Sequence, residues 1–484
     1  MTLSEEEIMK KLENKNWLEN CEKLVFVLLC VLMADCCIFG AGRTIMVGPV
    51  GFRMALVALT LLVSVPVLIR DFWILVQKRV LWLFGILAAW LLFQAIRGMA
   101  NDPGVWAADV KGYCYFFMLL PAICVLNSKR RIHKLMKVML YASATLAVAA
   151  LLMTYWFKYN HELFLKIYFM DPQELVLDLS ILIDKKVPRL FFRSTNYLLV
   201  SCAFSIYFFA AESGKFRWHY PVITGLCLFG MLMSYTRAVY LAAFITAAVV
   251  TAVFVVFGFG KIRMEFWKHL IAAALVFAVI TVGLGAIVGT NYMEHGIRRV
   301  VATFGTEEET TNQVPVVPEK QENTIQVVSL SNVVWTEEPT EEQNNAEMMT
   351  TGSDLIRAYT LRELNTWIQM APILGHGLGK GVACRYGGLT EYVYHEMIMK
   401  TGIVGLLIYM LPVLWLILSM VDQKYLSKPN KLIAGCWLAV LLGYMGFSYY
   451  NPYMNASLGI LFYCCTVGVF VNLKCNITKE KTYE

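Results

Sequence analysis

Three arginines, a carboxylate and an imidazole carry the chemistry in this chain. Glu391 and His395 stand four residues apart, so on a helix they share one face. Each has an accessible unprotonated form near neutral pH, which qualifies either as general base for a hydroxyl. A polar cap at a membrane interface is the plainer use of the same spacing. Arg237 interrupts a nearly continuous apolar stretch, between Met231–Tyr235 and Ala238–Ala248. Burying charge in hydrocarbon is costly, so such a residue needs a partner, a ligand or a route to the headgroups. Arg193 and Arg357 lie in polar segments beside other apolar runs. Guanidinium forks match phosphate oxygens bidentately and never lose their charge, which suits an anionic ligand. Shortly before Glu391 comes Gly375-His376-Gly377-Leu378-Gly379-Lys380-Gly381. Gly375 and Gly377 could present backbone N–H groups to an anion, or could form a tight turn over a membrane surface. The loop has no strand before it, as a dinucleotide motif would, and its Gly/Lys spacing is not that of a phosphate-binding loop.

The elements that position these residues must be membrane helices. The 484-residue chain is 58% hydrophobic and 16% charged, against about 45–50% and about 25% in soluble domains. Its mean hydropathy of +0.57 comes from long apolar blocks. That balance excludes a soluble enzyme, a disulfide-stapled secreted domain and a disordered chain. Apolar runs of about 20 residues predict spans at 24–41, 47–69, 80–96, 108–126, 135–156, 195–211, 218–235, 238–258, 267–290, 400–420, 431–449 and 455–473. Arg53 falls inside the second and Lys111 inside the fourth, which makes both suspect. The predicted fold is an all-α polytopic membrane protein of about 12 transmembrane helices.

Orientation follows from basic residues in short loops. With a cytoplasmic N-terminus, the inner segments hold 22 Lys and Arg, and the short outer loops hold only Arg43, Arg97 and Arg237. The positive-inside rule then puts both termini inside. Residues 1–23 read as a cytoplasmic interfacial segment, with Ser4 and Glu7 at capping-box spacing and no cleavable signal peptide. Residues 24–290 hold helices one to nine, 291–399 a large extracytoplasmic loop, 400–473 the last three helices and 474–484 a cytoplasmic tail. Within the loop, 306–346 contains nine glutamates and one lysine without periodicity, the composition of a disordered insert. Removing it takes the formal charge from +7 to +15, so the membrane body is strongly basic. An earlier outer segment, 157–194, ends in Lys185, Lys186, Arg189 and Arg193. The 13 cysteines lie almost entirely in or beside spans with no C-x-x-C, and read as small hydrophobes.

Arginines on the outer face of a basic membrane body imply an anionic ligand that resides in the membrane. A lipid-linked diphosphate lives at that depth, and cation pairing stabilises it as a leaving group when a phosphate–sugar bond breaks. Outside the acidic insert the outer face shows no carboxylate cluster, no histidine set with metal spacing and no Asp-x-Asp. Catalysis with no metal or other cofactor is therefore the simpler expectation, and nothing points to nucleic acid.

Three stretches resemble the O-antigen ligase and polymerase family of bacterial membrane glycosyltransferases. Ser234-Tyr235-Thr236-Arg237-Ala238 looks like the family's Ser/Thr-Arg-Gly/Ala segment that opens a span. Gly352 through Arg357 and Trp367 to Pro372-Ile373-Leu374-Gly375-His376-Gly377-Leu378-Gly379 is similar to its arginine, helix and Pro-x-x-Gly-x-Gly-x-Gly. His395 through Thr401-Gly402-Ile403-Val404-Gly405 looks like its histidine before a Gly-x-x-Gly span. The layout is similar too, with both ends inside and the largest outer loop between spans nine and ten.

The resemblance implies that Arg237 and Arg357, with Arg193 as a further candidate, contact the diphosphate of a polyprenyl-linked glycan donor. It implies that the histidine activates or positions a glycan or glycolipid acceptor, at the outer face of the bacterial cytoplasmic membrane. The family's histidine position counts back to Glu391, whereas His395 stands one helical turn later, and Glu396 replaces the usual Asn. Either His395 has taken the role with a register shift, or Glu391 is the base and His395 assists; the former is preferred. The acidic insert has no counterpart in the family pattern. The rival expectation is a transporter or flippase of lipid-linked oligosaccharides, in which the arginines bind and no bond breaks.

Overall fold

The computed structural model describes residues 5–40, 46–47, 50–159, 177–178, 190–301, 344–383, 390–422 and 425–480. In chain order its helices are α1 (Glu5–Phe39), α2 (Phe52–Val76), α3 (Arg79–Arg97), α4 (Pro103–Cys114), α5 (Leu119–Val125), α6 (Lys129–Tyr159), α7 (Leu198–Ala211) and α8 (His219–Met233). There follow α9 (Arg237–Phe257), α10 (Lys261–Val288), α11 (Tyr292–Val301), α12 (Asn344–Met370), α13 (Val393–Val421), α14 (Lys428–Phe447) and α15 (Ser457–Glu480). The β structure among the described residues is two antiparallel ladders of two residues a side, Met46–Val47 with Val50–Gly51 and Leu177–Asp178 with Phe191–Phe192.

Among the described residues, eight helical stretches can cross a membrane by length and composition: Phe52–Val76, Val80–Ala100, Pro103–Val125, Lys129–Trp156, Arg237–Phe257, Lys261–Val288, Val393–Val421 and Lys428–Phe447. The chain is thus a helical membrane protein. The stretch around Lys111 is two helices, α4 and α5, joined by a 3₁₀ turn at Tyr115–Met118. Asp102 opens it, its carboxylate accepting from the Gly104 and Val105 N–H groups.

The surface shows which helices meet lipid. Leu62, Trp73, Trp82, Leu92, Phe244, Val279 and Leu407 are exposed on α2, α3, α9, α10 and α13. Apolar side chains facing outward along whole helices are what a hydrocarbon surroundings permits. The centre holds α7, α14 and the apolar part of α15, buried at nearly every position. A helix apolar all round belongs there. Between helices, small residues bring backbones together. Gly435, Gly443 and Gly446 of α14 lie against Val253, Thr246 and Ile245 of α9.

Several boundaries differ from expectation. The interfacial segment 1–23 and the first span are one helix from Glu5, because no Pro or Gly intervenes before Gly40, which stops α1 at φ 56°. The predicted spans 195–211, 218–235 and 455–473 coincide with apolar helical stretches at Thr195–Ala211, His219–Met233 and Ser457–Leu473, the last continuing as helix to Glu480. At 1.5 Å per residue the first reaches about 25 Å. The segment 306–343 of the acidic insert, like Lys185, Lys186 and Arg189, lies outside the described residues. Residues 344–346, expected in the insert, open α12 instead, as no proline stands between Asn344 and Met370.

Midway along α1, Glu22 ties three helices. It accepts from Arg131 of α6, pairs with Arg70 of α2 at 2.9 Å, and accepts from Asn127 at 2.8 Å. Burial alone would raise the Glu22 carboxyl, but the hydrogen bonds from Arg131, Asn127 and Arg70 outweigh it and hold it below its ordinary 4.5.

Candidate functional site

The Gly-x-x-Gly span begins with a broken helix. Gly402 has φ 71° and ψ 174°, which divides α13 into a short first half and a long second half. A Cβ at Gly402 would sit 1.9 Å from the Ile373 carbonyl oxygen, so only glycine fits. A break leaves acceptors at the end of one half and donors at the start of the next. The glycine loop satisfies both. The Met399 and Lys400 carbonyls accept from the N–H groups of His376 (2.8 Å) and Gly377 (2.9 Å). The Ile403 and Val404 N–H groups donate to the Pro372 (2.9 Å) and Ile373 (3.5 Å) carbonyls. The Trp90 indole donates to the Thr401 carbonyl at 3.2 Å.

The other side of the loop is stitched to the end of α3. Gln94 Nε2 and Arg97 Nη1 donate to the Leu374 carbonyl at 2.8 and 2.9 Å, and Arg97 Nη2 donates to the Gly375 carbonyl at 3.1 Å. Asn101 Nδ2 reaches the His376 and Leu378 carbonyls. Gly377, at φ 88°, presses on Gly98; a Cβ there would lie 2.7 Å from the Gly98 nitrogen. The N–H groups of Gly375, His376, Gly377, Leu378 and Gly379 all donate to protein acceptors. The loop is thus the tight turn of the two readings. Gly375 and Gly377 as anion-binding residues are corrected accordingly, since their donors serve a broken helix.

Against this junction lies a charge cluster that sequence reasoning missed. Lys400 Nζ donates to Asp109 Oδ1 at 2.8 Å and to Glu396 Oε1 at 2.5 Å, with the lysine 2% exposed. Asp109 Oδ2 accepts from the Gly379 N–H at 2.8 Å, and Glu396 Oε2 accepts from Thr390 Oγ1 at 2.9 Å. One ammonium between two carboxylates so joins α4, the loop and α13. The available signal was Glu396 and Lys400 at helical spacing in an apolar run, whereas Lys111, the cation inside the fourth predicted span, is exposed.

Just outside stand the expected acid and imidazole. Arg357 Nε meets Glu391 Oε2 at 2.6 Å, both side chains partly exposed. His395 is on the first turn of α13, its Nδ1 buried with no hydrogen-bond partner among the described residues. Its ring lies 5.8 Å from Tyr392 and 6.3 Å from Tyr449. Burial pushes the Tyr392 phenol up, with Arg357 opposing and Glu391 adding, so it stays neutral. The fold therefore brings Arg357 of α12 to Glu391, while the ring neighbours of His395 are Tyr392 and Tyr449.

Arg237 sits elsewhere, as the first residue of α9. Its Nε is buried with no hydrogen-bond partner among the described residues. The turn before it is strained: Tyr235, fully buried, has φ 43°, a conformation unfavourable for a bulky residue. The Leu190 N–H backs this turn by donating to the Met233 carbonyl at 2.9 Å. Arg193 lies at the C-terminal end of α1, its backbone packed on Gly40. Arg53 proves to be structural. Its Nε pairs with Asp35 Oδ2 at 2.7 Å and its Nη1 donates to the Gly40 carbonyl at 2.8 Å, joining α2 to α1. Among the described residues, no three His, Cys, Asp or Glu side chains are placed to hold a metal ion. The chain matches no protein-family model and no curated protein sequence.

Proposed function

We propose that this chain is a membrane glycosyltransferase at the outer face of a bacterial cytoplasmic membrane, with α1, α7, α8 and α15 crossing beside the eight longer stretches to make twelve spans. The donor is a polyprenyl-diphosphate-linked glycan and the acceptor a glycan or glycolipid of the cell surface. His395 takes the proton of an acceptor hydroxyl as its oxygen bonds the anomeric carbon. The bond from that carbon to the phosphate oxygen breaks with inversion, and polyprenyl diphosphate departs with the electron pair. Arg357 and Arg237, with Arg193 nearby in the donor path, balance the charge that develops on the diphosphate.

The observation that carries this reading is the Arg357–Glu391 pair at the entry to the broken helix whose first turn holds His395. It also favours one of the two candidate bases. Glu391 is the counter-ion of Arg357, which leaves His395 to receive the proton. Incoming diphosphate then competes with Glu391 for the guanidinium.

A transporter of the same lipid-linked glycans is the second reading, and broken α13 favours it, since discontinuous helices often line transport sites. Proteoliposomes holding the protein and a radiolabelled polyprenyl-diphosphate oligosaccharide separate the two. Longer glycans, or glycan attached to an added acceptor, are expected. Lipid that crosses the bilayer with no new glycosidic bond would overturn the transferase.

A further inference from the structure

His395 belongs to a closed circuit of four rings drawn from two segments. Its centroid is 5.8 Å from Tyr392 and 6.3 Å from Tyr449; Tyr449 is 4.7 Å from Tyr450, and Tyr450 returns to Tyr392 at 6.2 Å. The interplanar angles, 75°, 72°, 82° and 59°, show four rings meeting at steep angles instead of a stacked column. Tyr392 is buried, while Tyr449 and Tyr450 are each 43% exposed. The two exposed rings sit on the turn after α14, their N–H groups donating to the Gly446 and Phe447 carbonyls. Tyr394 pins that end of α14 to α13 by donating its hydroxyl to the Met445 carbonyl at 2.6 Å. The polar neighbour is the Arg357–Glu391 pair, whose charges cancel.

We infer that Tyr449 and Tyr450 form the stacking platform for a sugar ring of the acceptor glycan, presenting its hydroxyl to His395. A saccharide has an apolar C–H face and a rim of hydroxyls. A tyrosine offers it the matching surface, an apolar ring with a polar tip. The partly exposed Arg357–Glu391 pair also offers donors and acceptors to the rim hydroxyls. An interfacial aromatic belt would explain exposed tyrosines facing headgroups, but Tyr449 is packed edge-on against the proposed base and Tyr450 edge-on against Tyr449. The word acceptor rests on the transferase reading; sugar binding at these rings is separable from it.

The test uses the full chain in lipid nanodiscs, with saturation-transfer NMR on rhamnose, galactose and N-acetylglucosamine trisaccharides. At least one trisaccharide is expected to receive saturation at its ring C–H protons. Tyr449→Ala and Tyr450→Ala should each weaken that binding about tenfold, the loss of one aromatic contact, while Tyr449→Phe and Tyr450→Phe retain it. Absence of signal from all three sugars, or unchanged binding by the alanine variants, overturns the platform. In the transfer assay the alanine variants should raise the acceptor KM and leave the donor KM unchanged. An unchanged acceptor KM overturns the platform and leaves the transferase standing. If wild type transfers nothing, the transferase fails and the binding measurement still decides the platform.

Discussion

At the level of single side chains, the sharpest issue is which group takes the proton. His395 carries a buried Nδ1 without a hydrogen-bond partner among the described residues, and Glu391 is engaged by Arg357. His395→Ala should therefore reduce transfer by about 10²–10⁴, the usual worth of a general base. Glu391→Gln should keep most of the turnover and bind donor more tightly, because Arg357 loses its competitor. Equal loss in both variants would show that the carboxylate is the base. Arg237→Ala should abolish transfer while membrane insertion, read by fractionation, survives; wild-type activity would remove Arg237 from the diphosphate. Four-residue spacing put Glu391 and His395 on one helical face, but α13 begins at Val393 after a non-helical Tyr392 (φ −95°, ψ 79°), so Glu391 precedes the helix that carries His395. The pairing of Arg357 with Glu391 was not legible either, since nothing local relates a residue of α12 to one 34 positions on. Arg53 misled for the same reason, because Asp35 lies in another span.

At the level of elements, the decisive object is the break in α13 with the loop seated in it. Pro372 and the following glycines announced a turn, yet Gly402 reads in sequence as an ordinary glycine of a span. The break is visible only when the loop that completes it is in place. Gly402→Ala adds a Cβ at 1.9 Å from a carbonyl oxygen and strains a left-handed backbone. We expect at least about 1–3 kcal/mol of destabilisation and loss of transfer, measured as thermal aggregation in detergent together with activity. A thermal midpoint equal to wild type would refute the tight fit. Lys400→Met should be harsher, about 3–5 kcal/mol, as it strands Asp109 and Glu396 without their cation. Lys400→Met combined with Asp109→Asn and Glu396→Gln should recover part of that stability.

For the whole molecule, composition was enough to establish a helical membrane protein, because about 20 apolar residues in a row have few other uses. Helix lengths were less legible. α7, α8 and the apolar part of α15 are as apolar as the longer spans but shorter, and what marks them is burial among neighbours, a property of the assembled bundle. The Glu22 clasp yields a pH prediction. The Glu22 carboxyl is held below its ordinary value in the folded state, so its contribution is present above pH 4.5 and is lost as pH falls through the folded value. Wild type should be more thermostable than Glu22→Gln at neutral pH, and the two should converge on acidification below 4.5. A gap that widens in acid would contradict the clasp. The loop seated in α13 has a last consequence, for exchange with solvent. The amides of His376, Gly377, Ile403 and Val404 are cross-bonded between two segments, so neither segment can open without unprotecting the other. Their deuterium uptake should rise and fall as a single kinetic unit, slower than the ends of α12, and should collapse together in Gly402→Ala.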